Sequence, residues 1–286
     1  MRVPLLVSVI VPSYNAGPEI QDQLAAVDAQ DYAGDYEVIV VDNGSSGRRG
    51  GGASRWVQSG GNVRLVDARA RRGPGAARNS GVRAGRGDFL VFCDADDIVS
   101  PSWLRLLVET GREADVVGGR MESTRLNTSS ACACYDVTDP AAPHLDFLPA
   151  AAGANLGIWS NVFDALGGFD ERSRTGEDVA LVWTAQLRGY VYRASPALVH
   201  KRLPAGARDA ARRFFHYGLG DAWLYSQFGA LGMPRRDRAA TSQLGIALIN
   251  GFSGVPPPAR WCRWRLTFFL TCGRLAGSVW NRVFFM

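Results

Sequence analysis

Along its first hundred residues the chain alternates short, unbroken apolar runs with stretches in which apolar residues recur every three or four positions. Residues 6–11 form a continuous, largely β-branched run, and 37–41, 63–66 and 88–93 read as further strands. Residues 18–30 set Ile20, Leu24 and Val27 at helical spacing. Residues 74–84 open with a proline suited to a first helical turn, and 101–109 reads as the next helix. Strands that are apolar along their whole length must be covered on both faces, and the intervening helices supply that cover. The expected fold class is therefore α/β, a Rossmann-like, mostly parallel sheet flanked by helices.

The rhythm then changes. A strand at 115–118 precedes an irregular stretch, 126–152, that holds Pro140, Pro143 and Pro149. Structureless segments of this length inside compact domains are often lids or binding loops. Order returns over 157–169, followed by a helix at 177–187 and a short strand at 191–193. From Arg208 onward the pattern is helical, with breaks at 229–234 and 251–258. These features predict an α/β domain over 1–203 and a helical C-terminal extension over 204–286, with no internal repeats.

Composition adds an asymmetry. A chain of 286 residues with 47% hydrophobic and 21% charged residues is that of a folded protein. Its net charge of +5 conceals two unlike parts. Up to residue 200 there are 19 Arg against 24 Asp and Glu, whereas from residue 201 onward 13 Lys and Arg face 3 Asp. The acidic part is expected to hold the chemistry and the basic part to meet something anionic. Lys201 is the sole lysine, and the abundance of arginine beside Ala and Gly reads as codon bias.

Five cysteines, an odd number, include a lone Cys132-x-Cys134 without a second pair at zinc spacing, so neither a zinc site nor a disulfide framework is expected. That usage fits a reducing cytoplasm. The opening residues superficially resemble a signal peptide, but Pro4 and Pro12 interrupt a short apolar run that reads better as a first strand. No stretch reaches the ~20 apolar residues of a spanning helix.

The most concentrated chemistry lies at residues 88–97, where an apolar strand ends in Asp94, Asp96 and Asp97. Like charges gathered at the edge of a core repel and lose hydration, and a bound cation relieves both. Hard carboxylate oxygens suit Mg²⁺ or Mn²⁺, ions that bridge carboxylates to phosphates. The competing reading is a solvated turn in which Asp97 caps the next helix. Pro12-Ser13-Tyr14-Asn15 and Asp42-Asn43-Gly44-Ser45 close the first and second strands, the edge at which open parallel sheets bind ligands. Asp42 could accept hydrogen bonds from a base or ribose, and Tyr14 could pack on a ring. The Gly/Ser/Arg run at 44–52 lacks dinucleotide and Walker spacing and reads as a loop with Arg48 and Arg49 in solvent.

In order along the chain, Val-Ile-Val-Pro-Ser-Tyr-Asn (9–15), Val-Val-Asp-Asn-Gly-Ser (40–45), Gly-Pro-Gly-Ala-Ala-Arg-Asn-Ser-Gly (73–81) and Cys-Asp-Ala-Asp-Asp (93–97) resemble the family 2 glycosyltransferases of GT-A fold. The likeness continues through Leu-Gly-Gly-Phe-Asp-Glu (166–171), Gly-Glu-Asp (176–178) and His200, covering roughly the first 200 residues. The resemblance implies inverting transfer from a nucleotide-diphosphate sugar to a hydroxyl acceptor, be it a glycan, a lipid-linked sugar or a natural product, with Mn²⁺ or Mg²⁺.

Carried over by position, it gives Pro12, Ser13, Tyr14, Asn15 and Asp42 to the nucleoside and sets Arg78 near the nucleotide. Asp94 would touch ribose or metal, Asp96 would be the principal metal ligand, and His200 a further one. Asp178 would be the catalytic base with Glu177 beside it as an acceptor contact, and Asn155, Trp159 and Asn161 would form the acceptor side. Plainer readings stand beside these. Arg78 could pair with an aspartate from a helix face, Trp159 could fill the core, and acidic residues in a first helical turn gain about 0.3–1 kcal/mol each from the dipole.

The closing residues 259–285 interleave aromatics such as Trp261, Trp264, Phe268 and Trp280 with Arg260, Arg263, Arg265, Arg274 and Arg282. An anionic membrane surface, the protein's own core or a homodimer partner would each meet this pattern. The lipid-linked acceptors of the resembled family tip the expectation to peripheral membrane binding, at the inner face of the cell membrane. Two other classes remain. A nucleotidyltransferase would show a Gly-rich phosphate loop where Pro-Ser-Tyr-Asn stands, and a non-catalytic sugar- or lipid-binding scaffold would not need Asp94, Asp96, Asp178 and His200 together. No recognition motif accompanies the basic surplus, so nucleic acid is not an expected partner.

Overall fold

The computed structural model of the protein describes residues 2–46, 63–132, 135, 139–235 and 258–286. Arg48, Arg49 and Cys134 lie outside the described residues, as do the side chains of Arg260 and Trp261.

Three strands, β1 (Val7–Ser13), β2 (Tyr36–Asp42) and β4 (Phe89–Cys93), run parallel, with β3 (Arg64–Asp67) outside β2. Successive side chains point to opposite faces, and here both faces are covered: Val9, Ile10, Val11, Phe89 and Phe92 are all buried. Helix α1 (Glu19–Asp28) buries Ile20, Leu24 and Val27, as their spacing predicts. Helix α2 (Pro74–Ala84) follows β3, and α3 (Trp103–Gly111) follows the two-residue strand β5 (Ile98–Val99).

The large sheet continues through β6 (Val116–Glu122), β9 (Asn155–Trp159) and β10 (Tyr192–His200), in the order β3-β2-β1-β4-β9-β6-β10-β5. Strand β9 runs antiparallel between β4 and β6, a placement that its short apolar run could not announce. The chain moves from β1 outward to β2 and β3, then crosses back to β4 on the other side of β1. At such a reversal the carboxyl ends of neighbouring strands part and leave a crevice.

Between β6 and β9 lie a helical turn, α4 (Ser129–Cys132), and a small hairpin of β7 (Pro143–His144) and β8 (Leu148–Pro149). Helix α5 (Ser160–Leu166) follows β9, and α6 (Glu177–Leu187) precedes β10. The C-terminal part holds α7 (Ala207–Phe228) and α8 (Pro258–Trp280). A second apolar cluster of Leu145, Ala180, Trp183, Leu224, Phe228, Met233 and Phe285 binds α7 and the last residues to α6 and the hairpin. Cys262 is disulfide-bonded, while Cys93, Cys132 and Cys272 are free thiols, so one bridge exists where a fully reduced chain would fit the sequence reading.

Helices α7 and α8 touch backbone to backbone. A Cβ on Gly273 would lie 2.0 Å from the Phe215 carbonyl oxygen, and one on Gly218 would lie 2.1 Å from that of Leu270. At the same crossing the buried Arg274 donates through Nε at 2.8 Å to Asp221 Oδ2. The inner face of α8 is thus a packing face, which settles Arg274 inward. Its outer face leaves Phe268, Leu275, Val279 and Trp280 exposed. Among the described residues no helix is long and apolar enough to cross a membrane. Gly273→Val should cost about 1–3 kcal/mol through overpacking, seen as a lowered thermal midpoint; a midpoint equal to wild type would contradict this crossing.

Candidate active site

The carboxylates that close β4 have separate surroundings, although Asp94, Asp96 and Asp97 bring one oxygen each within 4.8 Å of one another. Asp94 Oδ1 accepts a hydrogen bond from Arg78 Nη2 at 3.0 Å, and Lys201 Nζ lies 4.0 Å from its Oδ2. Burial works against its charge, but Arg78 and Lys201 outweigh burial and hold its pKa below the ordinary carboxylate range. Asp96 has less help: burial, then Asp94, push its pKa upward against the weaker pull of Lys201 and Arg213, and it forms no ion pair among the described residues.

Asp97 is fully buried and pushed up to about 7 by burial, despite Lys201 Nζ at 3.5 Å. Its Oδ1 accepts from the Arg202 backbone N–H at 2.7 Å. Rather than capping a helix, Asp97 fastens the chain that leaves β10.

Arg78 links this cluster to α6. Its Nη1 donates to Glu177 Oε1 at 2.8 Å while Nη2 serves Asp94, and the guanidinium lies over the Phe169 ring at 5.6 Å. Gly153 closes the other side: a Cβ there would sit 2.6 Å from Arg78 Cζ, so any side chain would displace the guanidinium. Burial disfavours a charged Arg78, but Asp94 and Glu177 prevail and strengthen its protonated form. Glu177 is itself pushed up to about 7, by burial first and Asp178 second, against the pull of Arg78.

Asp178 faces the other way. Its Oδ2 accepts from the Gly153 N–H at 2.6 Å and its Oδ1 from the Val179 N–H at 2.9 Å.

Two clefts meet here. The first, of about 930 Å³, has walls from Pro12, Ser13, Tyr14, Asn15, Asp94 and Asp96. The second, of about 630 Å³, runs beneath the hairpin segment past Glu177, Asp178, Leu145, Leu203 and Phe214. Arg78, Asp94, Arg174, Arg213 and Tyr217 line both, so the boundary falls at the Arg78–Asp94 pair. The segment expected to be a binding loop does border the second cleft, through Asp139, Pro143 and Ala150. Asp42, next to the cleft-lining Asn43, is not itself part of the first cleft's wall, and its Oδ1 accepts from the Ser45 N–H at 3.1 Å.

Four of the residues expected in the site stand elsewhere. His200 Nδ1 pairs with Glu122, and its Nε2 lies 3.0 Å from Arg125 Nη1. Neighbouring residues of an extended strand face opposite ways, so Lys201, one residue on, is turned to the aspartates and His200 is turned from them. Asn155 is buried at the carboxyl end of β4, with its amide donating to the Arg120 and Ala197 carbonyls and accepting from Trp103 Nε1. Trp159 lies at the far edge of the sheet, beside Phe89, and its indole donates to the Gly111 and Ala114 carbonyls. Asn161 follows on α5, exposed at that same edge. Lys201, Arg202, Arg213 and Tyr217 enter the site unannounced; the solitary lysine of an arginine-rich chain was the one hint available.

A divalent cation fits this chemistry at one place. Asp94 and Asp96 offer hard oxygens at the cleft wall, and the repulsion that Lys201 and Arg213 leave at Asp96 is what a cation would lift. Asp97, enclosed and held by Arg202, does not fit as a ligand.

Residues 8–130 match the family described as glycosyl transferase family 2. The chain carries a family 2 glycosyltransferase domain. Glycosyltransferase AglE of Haloferax volcanii is 29% identical over 258 residues, spanning 88% of this chain and 82% of that protein. The uncharacterized glycosyltransferase EpsJ of Bacillus subtilis is 35% identical over 115 residues, which is 40% of this chain and 33% of the relative. In fold the chain resembles the mannosyltransferase PcManGT from Pyrobaculum calidifontis, solved in complex with GDP-Man and Mn²⁺. Their TM-score is 0.67 at 21% identity, over 99% of this chain and 89% of that one. The glycosyltransferase thus has the expected GT-A architecture, and the family match over 8–130 together with AglE favours it over the nucleotidyltransferase and the non-catalytic scaffold.

The glycosyltransferase's Glu177 gives a test of its electrostatics. A carboxyl whose folded pKa lies near 7, above an unfolded value near 4.5, imposes no penalty below 4.5 and a growing one as pH rises towards 7. Relative to Glu177→Gln, wild-type stability should therefore fall between pH 4.5 and 7. Urea midpoints of both proteins that keep a constant difference across this range would refute the assignment.

Proposed function

We propose that the protein is an inverting, metal-dependent glycosyltransferase that moves a sugar from a nucleotide-diphosphate donor to a hydroxyl acceptor. One observation carries this reading: Asp94 and Asp96 border the first cleft, Asp178 borders the second, and the buried Arg78 stands between them. Pro12, Ser13, Tyr14 and Asn15 would hold the nucleoside in the first cleft. Asp94 and Asp96 would hold Mn²⁺ or Mg²⁺, which when bound supplies positive charge to the diphosphate. The likeness in fold to a mannosyltransferase bound to GDP-Man and Mn²⁺ supports both assignments.

Asp178 would accept the proton of the acceptor hydroxyl as that oxygen attacks the anomeric carbon. The bond from this carbon to the diphosphate oxygen breaks, its electron pair leaves with the nucleoside diphosphate, and attack opposite the leaving group inverts the centre. The Gly153 and Val179 N–H groups aim the carboxylate of Asp178. Glu177, bound to Arg78, would act by positioning Arg78 rather than by touching the acceptor. The apolar wall of the second cleft, from Leu145, Leu203, Phe214, Leu224 and Leu270, suits an acceptor with an apolar part, such as a lipid-linked sugar.

The outer face of α8 fits the same picture. Phe268, Leu275, Val279 and Trp280 are exposed there with Arg265, and Arg282 is exposed just past the helix, the combination that settles on anionic lipid.

Asp178→Asn should remove transfer, measured as nucleoside diphosphate released from sugar nucleotides with Mn²⁺, while leaving calorimetric affinity for the nucleoside diphosphate within about twofold. Wild-type turnover in this variant would reject Asp178 as base. The α8 face predicts sedimentation with phosphatidylserine vesicles and not with phosphatidylcholine alone, weakened by Val279→Asp. Full recovery in the supernatant with both lipids would exclude the membrane role, and dimerisation lost in the same variant would assign the face to a second copy.

A further inference from the structure

Helix α7 belongs to the segment beyond the family match, yet it presents Arg212, Arg213, His216 and Tyr217 to the first cleft. Arg72, Arg174 and Arg212 also border this cleft with no hydrogen bond or ion pair among the described residues, but they are exposed, and Arg213 differs from the other cations drawn from solvent there. Arg78 is engaged by Asp94 and Glu177, Lys201 by Asp97 and Asp94, and Arg202 by the Asp96 carbonyl and Asp22. Arg213 is half-buried and makes no hydrogen bond or ion pair among the described residues. Burial disfavours its charge, but Tyr217, Asp96 and Asp94 all favour it. A guanidinium carries five N–H donors in a rigid fork, and withdrawing them from water without acceptors costs free energy that an arriving anion restores.

Its place says which anion. Arg213 lines both clefts at their junction, where the field of Asp94 and Asp96 reaches it without a direct contact. An anion there would lie between the carboxylate pair on one side and the guanidinium on the other.

We propose that Arg213 binds the diphosphate of the sugar-nucleotide donor, from the side opposite Asp94 and Asp96, and holds it as it leaves. This rests on the reading of the first cleft as the donor site. The guanidinium fork matches two phosphate oxygens, and its N–H donors would strengthen as the breaking bond gives its electron pair to the diphosphate. Donor binding would then require α7, and the helical extension would be part of the catalytic unit.

The test is calorimetric titration of the whole protein with UDP and GDP, then UMP and GMP, each with Mn²⁺. Arg213→Gln should weaken the tighter-binding diphosphate at least tenfold and change the matching monophosphate less than twofold. Arg213→Lys should fall between the two. The thermal midpoint should hold, because the arginine leaves no protein partner behind; were Arg213→Gln to fail to fold, Arg213→Lys must still lose diphosphate over monophosphate preference. Equal diphosphate binding by wild type and Arg213→Gln, or equal loss of both ligands, would overturn the Arg213 assignment alone. A wild type that binds no nucleoside diphosphate would overturn the donor-site reading and this assignment with it.

Discussion

The site depends on burying carboxylates together. Asp94, Asp97 and Glu177 are drawn from water at the ends of two elements, and each would resist ionisation alone. Arg78, buried among them, and Lys201, half-buried, make the arrangement tolerable. Burial would strip the proton from Lys201, yet Asp97 and Asp94 hold it firmly charged. These cations come from α2 and from the end of β10, far apart in the chain. Charge compensation therefore requires that the carboxyl ends of β4 and β10 meet the amino-terminal parts of α2 and α6 at one edge of the sheet, which is what the strand order provides. Removing one partner of such a set is costlier than the set is stabilising, because the survivors keep their desolvation without relief.

Compensation stops short at two groups. Among the described residues Asp96 keeps a raised pKa and no ion pair, and Arg213 keeps its charge and no hydrogen-bond acceptor. They lie on the same cleft with opposite signs. A ligand that pairs a cation with an anion would satisfy both at once, whereas either ion alone would satisfy one. The residual frustration is thus patterned: the protein neutralises those charges that hold its own elements and leaves open those that face the cleft.

Much of the fold was readable because continuous apolar runs and helical periodicity are local properties. Strands β1, β2, β3 and β4 and helices α1, α2, α3 and α6 follow from them. Strand β9 did not, since antiparallel insertion between β4 and β6 depends on partners distant in sequence. In the site, residues at strand ends were legible: Pro12 to Asn15, Asp94 and Asp96 gather as expected on one cleft. His200 and Trp159 were misleading because residue type and order do not disclose which face of a strand a side chain takes. Arg78 does pair with an aspartate, as its plainer reading has it, and it borders both clefts. Arg202 and Arg213 were hidden by the arginine content of the chain, which made a guanidinium at the cleft look like background.

The extension acts through rigidity. Helix α7 is pinned on one side by backbone contact at Gly218 and Gly273 and by the buried Asp221–Arg274 pair. On another side Leu224 and Phe228 join the cluster around Trp183, whose indole donates to the Leu148 carbonyl. A helix held on two sides cannot roll freely, so the directions of Arg213 and Tyr217 are set before any ligand arrives. Preset donors spare a ligand the entropy of ordering them, and they need not reorganise as charge develops on a leaving group. The glycines of the α7–α8 crossing, and the Asp221–Arg274 pair that reaches the wall of the second cleft, thereby shape the electrostatics of the site.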